Sequence, residues 1–225
     1  MTELVGGGTR TAAPPGKPAL RGGLHAGSFP GAMVAGILLV ALAPSQRSRL
    51  AIAVFTVTAG LLFGVSAIYH RGRWSTRTTV ALRRLDHSNI FLLIAGTYTP
   101  FAVTLLDAHA AAVLLSLVWG AAALGVAFRV FWLGAPRWLY VPVYVAMGWS
   151  AVFWLPAFGR TGGAAVVALI VAGGAFYVVG ALVYALRRPN PAPRSFGFHE
   201  IFHACTVLGF TAHVVGIGLA AFARG

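Results

Sequence analysis

Residues 164–186 read AAVVALIVAGGAFYVVGALVYAL, 23 positions without a charged side chain. At 1.5 Å per residue such a helix is about 34 Å long, enough to cross a bilayer whose hydrocarbon core is about 30 Å thick. A helix apolar on every face is predicted to be a membrane span rather than part of a soluble surface. Six further stretches are of the same kind: 24–43, 50–69, 85–106, 109–128, 138–158 and 196–222. His25, Gly27 and Pro30 interrupt the opening of the first, which then runs on apolar to Pro44. The expectation is an all-α, integral-membrane bundle of seven transmembrane helices, with six spans as the fallback.

Composition agrees. The chain is 58% hydrophobic and only 9% charged, too little charged surface to cover a soluble core. Seventeen Lys/Arg stand against four Asp/Glu, a formal net charge of +13. In a soluble protein that balance would suggest nucleic acid; here the basic residues fall in the gaps between apolar runs, where they act as topology signals and meet anionic headgroups. A nucleic-acid partner is therefore not expected, and membrane lipids are. A single cysteine, Cys205, excludes an internal disulfide and reads as a small packing residue. Residues 1–23 are rich in Gly, Pro and Ala, carry Arg10, Lys17 and Arg21, and have no apolar core; they read as a disordered basic tail preceding a membrane domain over 24–225.

Seven spans sort the basic residues unevenly. Thirteen fall on the side of the N-terminus and of the second, fourth and sixth connections, and four (Arg47, Arg49, Arg160 and Arg224) on the other. The positive-inside rule then places the N-terminus in the cytoplasm and the C-terminus outside, for a multi-pass membrane protein. That orientation brings His70, at the end of the second span, Asp86, at the start of the third, and His199 and His203, at the start of the seventh, to one depth.

His199 and His203 form an HEIFH step. Residues four apart share a helix face, which is how one helix offers two ligands to one metal ion. With His70 they make three imidazoles, and three neutral imidazoles leave a tetrahedral Zn²⁺ one open position, the ligand count of a catalytic rather than a structural zinc. Asp86 is then a candidate general base or orienting group, and Ser66, one turn before His70, a candidate to steady a water or an oxyanion. Glu200 is turned about 100° from His199 and is expected to meet a neighbouring helix, a headgroup or an arginine. His213, roughly 15 Å beyond His203, is expected to make a helix contact, with cavity lining as the alternative. His25 and His109 sit at span ends, where an interfacial position accounts for them.

Three ordered motifs carry a resemblance. Ser66-Ala-Ile-Tyr-His70, the Leu85-Asp86-His87-Ser88 opening with its Ile94-Ala-Gly-Thr-Tyr-Thr-Pro100 run, and His199-Glu-Ile-Phe-His203 resemble the bacterial hemolysin III family. That family belongs to the progestin and adipoQ receptor superfamily, akin to the alkaline ceramidases. The resemblance spans nearly everything after the tail, and the motif positions carry no substitution. It implies a seven-helix bundle with zinc near the cytoplasmic face, His70, His199 and His203 as its ligands, and Asp86 and Ser66 as polar partners. It also implies hydrolysis of a lipid amide or ester, a link to membrane-lipid homeostasis, and a name derived from cytolysis. Three functions follow as expectations: a zinc-dependent lipid hydrolase, a membrane-state sensor in which zinc only staples the spans, and a cytolytic pore. The pore ranks last, because polar residues gather at one end of the spans instead of running as a stripe along them.

Overall fold

The computed structural model describes residue 18 and residues 20–223. Their regular elements are all helical: α1 (Gly23–Leu42), α2 (Gln46–Arg71), α3 (Thr76–Leu105), α4 (Ala108–Phe131), α5 (Arg137–Trp149), a 3₁₀ segment Ser150–Trp154, α6 (Leu155–Leu186) and α7 (Phe198–Phe222). Among the described residues six helical runs are long and apolar enough to cross a membrane, the last but one being the joined stretch Arg137–Leu186 of 50 residues. The tail expected over 1–23 lies outside the described residues as far as Lys17. Its last residues enter the fold: Gly22 precedes α1, and the Arg21 guanidinium pairs with Glu200 at 2.7 Å.

Short polar residues start the helices. Ser45, Ser75 and Asp107 each accept a hydrogen bond from the backbone N–H three residues on, satisfying a donor that a helix start leaves open. The bond from Ala110 N–H to the exposed Asp107 also holds that carboxyl below the usual carboxylate range. At α7 the same task falls to Glu200, whose Oε2 accepts from Gly197 N–H at 2.9 Å.

The stretch Arg137–Leu186 is not one straight helix. As a single rod of 50 residues it would measure about 75 Å. Instead the backbone breaks at Gly163, whose φ of 78° and ψ of 176° suit a residue with no Cβ. The Tyr140 and Tyr184 hydroxyls lie 3.2 Å apart, and Arg137 donates to the Tyr184 carbonyl at 3.3 Å, so the chain doubles back between them. Gly163 stands 23 residues after Tyr140 and 21 before Tyr184, midway along that hairpin.

Inside the bundle, Phe55, Phe63, Phe91 and Phe158 are fully buried, with Ile52, Leu114 and Ile217 among them. Outside it, Ile37, Leu117, Leu124, Phe153 and Leu182 stand exposed. An outer face this apolar is what lipid tails require and water would penalise. α7 packs closely on α6: a Cβ at Gly209 would come within 2.9 Å of the Gly173 carbonyl oxygen, so small residues set that approach. α1 also meets α2 and α7, and α3 meets α7. One end of α2, α3 and α7 is thereby gathered beneath the start of α1.

Candidate metal centre

Two residues one helical turn apart share a face, and α2 uses this to present Ser66 and His70 inward, 1% and 8% exposed. α7 does the same with His199 and His203, and α3 brings Asp86, 9% exposed, to the same level. The ligand nitrogens of His70, His199 and His203 all lie within 4.8 Å of one another, a group able to hold a metal ion. His70 Nε2 and His199 Nε2 are 3.3 Å apart, and Asp86 Oδ2 is 3.7 Å from His70 Nε2. Nitrogens bound to one tetrahedral Zn²⁺ at its usual bond length stand about 3.3–3.4 Å apart, so the His70–His199 edge fits such an ion. Burial in an apolar bundle favours neutral imidazole, the form that can donate a lone pair to a metal.

Sequence spacing missed one member of the group. His25 was expected at the interface, yet it is 3% exposed and lies flat against His203, with ring centroids 3.7 Å apart and planes 2° from parallel. Its Nδ1 is 2.8 Å from Ser66 Oγ, and Ser66 borders the same cavity as Asp86. The cause is the close approach of α1 to the end of α2: at Gly22 (φ 75°) a Cβ would stand 2.5 Å from the His70 Cβ. His25 Nε2 has no hydrogen-bond partner among the described residues. The signal was available, because His25 opens the first span at the same end of the bundle as His70 and His199.

The remaining polar residues sort as follows. Glu200 meets an arginine, Arg21, and takes no part in the histidine cluster. His213 does both things expected of it, bonding the Ile170 carbonyl at 3.2 Å and lining a cavity. His109 is exposed at the start of α4, as an interfacial residue would be, and Cys205 is a free, buried packing residue beside Gly180. Arg129 departs from its expected place among the topology signals. It is fully buried, bonded to His87 Nδ1 and the Trp132 and Leu133 carbonyls, with its guanidinium 4.3 Å above the Tyr140 ring.

An apolar cavity of about 190 Å³ opens beside the cluster. Ser66, Asp86, His199 and His203 border it, and its walls are built from residues such as Leu93, Phe101, Val145, Phe158 and Ile170. His213 and Tyr177 line it farther from the cluster.

A helical bundle with an apolar exterior, holding three inward imidazoles beside a buried carboxylate, defines a multi-pass membrane protein with a candidate metal centre. The model of the family described as haemolysin-III related matches residues 15–214. The hemolysin-3 homolog of Bacillus subtilis (strain 168) is 32% identical over 160 residues, 71% of either chain. Hemolysin-3 of Bacillus cereus is 32% identical over 152 residues, 66% of this chain and 68% of its own. This chain belongs to the haemolysin-III related family and is a multi-pass bacterial membrane protein.

Proposed function

We propose that this protein is a seven-pass, zinc-dependent hydrolase acting on the amide or ester of a membrane lipid, with a role in membrane-lipid homeostasis. The observation that carries the reading is the placing of three imidazoles and a carboxylate against an apolar cavity. A soluble substrate has no use for such a wall, whereas an acyl chain does.

The hairpin at Gly163 supports seven passes. Each arm, 23 residues from Tyr140 and 21 to Tyr184, is about 32–35 Å long, the thickness of one bilayer crossing. With seven crossings the thirteen-to-four sorting of basic residues places the N-terminus in the cytoplasm and the C-terminus outside. A C-terminal alkaline phosphatase fusion is then expected to be active, and a C-terminal fluorescent fusion that folds only in the cytoplasm to stay dark. The reverse pair of results would mean either six crossings or a seven-pass bundle of the opposite orientation, which an N-terminal fusion tells apart.

Residue roles follow from the contacts. His70, His199 and His203 would hold the ion. When bound, zinc supplies Lewis-acid polarisation of a carbonyl and a lowered proton affinity for water. Asp86 would accept the proton that water loses, and Ser66, bordering the same cavity, would steady the water or an oxyanion. His25 fixes Ser66 through Nδ1 and backs the His203 ring. The cavity wall seats the acyl chain and excludes bulk water.

Purified protein is expected to carry about one zinc per chain by elemental analysis, and to release fatty acid from a long-chain N-acyl lipid only while the zinc is retained. Full zinc without turnover on amide or ester lipids would point instead to a sensor stapled between α2 and α7.

A further inference from the structure

We propose that a second, basic concavity at the histidine cluster binds the phosphate of an anionic headgroup, so that the lipid this protein accepts is an acyl lipid with a negatively charged head. The inference deepens the lipid reading above and rests on it.

The concavity, about 820 Å³, is bordered by Arg21, Arg71, Arg73, Arg83 and Arg137 and reaches His70 and His199. These arginines come from three parts of the chain: Arg21 before α1; Arg71, Arg73 and Arg83 around the α2–α3 connection; and Arg137 at the first residue of α5. Positive-inside sorting requires basic residues on one side of the membrane, but it does not require segments so far apart in sequence to converge on one hollow.

Charge balance sharpens the point. The chain has four carboxylate side chains, of which Glu3 lies outside the described residues. Glu200 is taken by Arg21, Asp86 lies beside His70, and Asp107 caps α4 at the far end of α3. Among the described residues no carboxylate pairs with Arg71, Arg73, Arg83 or Arg137. Arg137 is held ready, 4.5 Å above the Tyr184 ring and bonded to the Tyr184 carbonyl. Planar guanidinium groups gathered without acids suit a phosphate, which can accept several N–H donors at once.

The two hollows share a wall. His87, Tyr184 and His199 border both the apolar cavity and the basic concavity. One amphipathic molecule can therefore lay its tail in the first and its head in the second, with its carbonyl region at the cluster. This continuity selects a phosphate-bearing lipid over a free phosphate as the occupant.

The test uses the full chain in detergent and two single-chain probes, lysophosphatidate and lysophosphatidylcholine, with inorganic phosphate as competitor. Arg73 and Arg83 are exposed, so Arg73→Gln with Arg83→Gln removes two charges without disturbing packing. Arg77→Gln with Arg84→Gln removes the same charge from α3 at positions that do not border the concavity. The wild type is expected to bind lysophosphatidate at least about tenfold more tightly than lysophosphatidylcholine. The first pair should lose about tenfold in lysophosphatidate affinity and the second under about twofold. Equal losses in both pairs, or no preference between probes, would reduce the arginines to topology signals and leave the lipid reading standing. Inorganic phosphate binding as tightly as lysophosphatidate would assign the site to free phosphate and overturn the lipid headgroup. If neither lipid binds to zinc-loaded protein, the lipid reading itself fails.

Discussion

Asp86→Asn is expected to keep about one zinc per chain while lowering lipid-amide turnover by roughly 10²–10⁴-fold, the usual contribution of a positioned general base. The substitution is nearly isosteric and leaves His70, His199 and His203 untouched, so the three imidazole donors remain. What it removes is the capacity to take a proton at Oδ2, 3.7 Å from His70 Nε2 and within reach of the space those imidazoles enclose. Ser66 and His25 keep their mutual bond, so a failure of turnover would not be traceable to collapse of that side of the site. Elemental analysis and product release must be read on the same preparation. Retained turnover with full zinc would remove Asp86 from the chemistry. Lost zinc would instead make it part of the metal's hold.

The membrane bundle was legible because lipid imposes so few choices: every backbone group must be satisfied internally, so each long apolar run has to be a helix. The bounds expected for 24–43, 50–69, 109–128 and 196–222 fall within about four residues of α1, α2, α4 and α7, whereas the charged first turns of α3, Thr76 to Arg84, continue that helix beyond its apolar part, α5 ends at Trp149 and α6 starts at Leu155. Hydropathy alone could not say how 138–158 joined 164–186, because Leu155–Leu186 is apolar on both sides of Gly163 and the break is a backbone event at one glycine. The histidine cluster was legible through a depth argument, which needs only chain order and arginine counts. That argument reaches His25 as well. An interfacial explanation displaced it because span ends are where polar residues are cheapest, and burial there depends on how closely α1 leans on α2 at Gly22. Arg129, and which arginine Glu200 would meet, were illegible for a related reason. Whether an arginine faces headgroups or a neighbouring helix is decided by packing between segments distant in sequence, such as Arg129 with His87 and Tyr140, and hydropathy carries no term for it.

His203→Ala is expected to cost the protein its metal, with zinc occupancy falling at least about tenfold. Changing a residue that merely supports a ligand costs 10–100-fold in affinity, and losing one of three ligands should cost no less. His203 is 2% exposed and lies against the His25 ring, so truncation also opens a hole in the site, and loss of metal from a misfolded chain would prove nothing. His203→Phe separates the two effects. Phenylalanine keeps a flat ring on His25 and, being somewhat larger than histidine, leaves no hole while offering no donor atom. A variant that elutes and melts like the wild type yet lacks zinc would tie the ion to His203 Nε2 or Nδ1. The same variant with full zinc would move the ion elsewhere, and the 3.3 Å approach of His70 to His199 would then be a hydrogen bond between two rings, with no ion required to explain it.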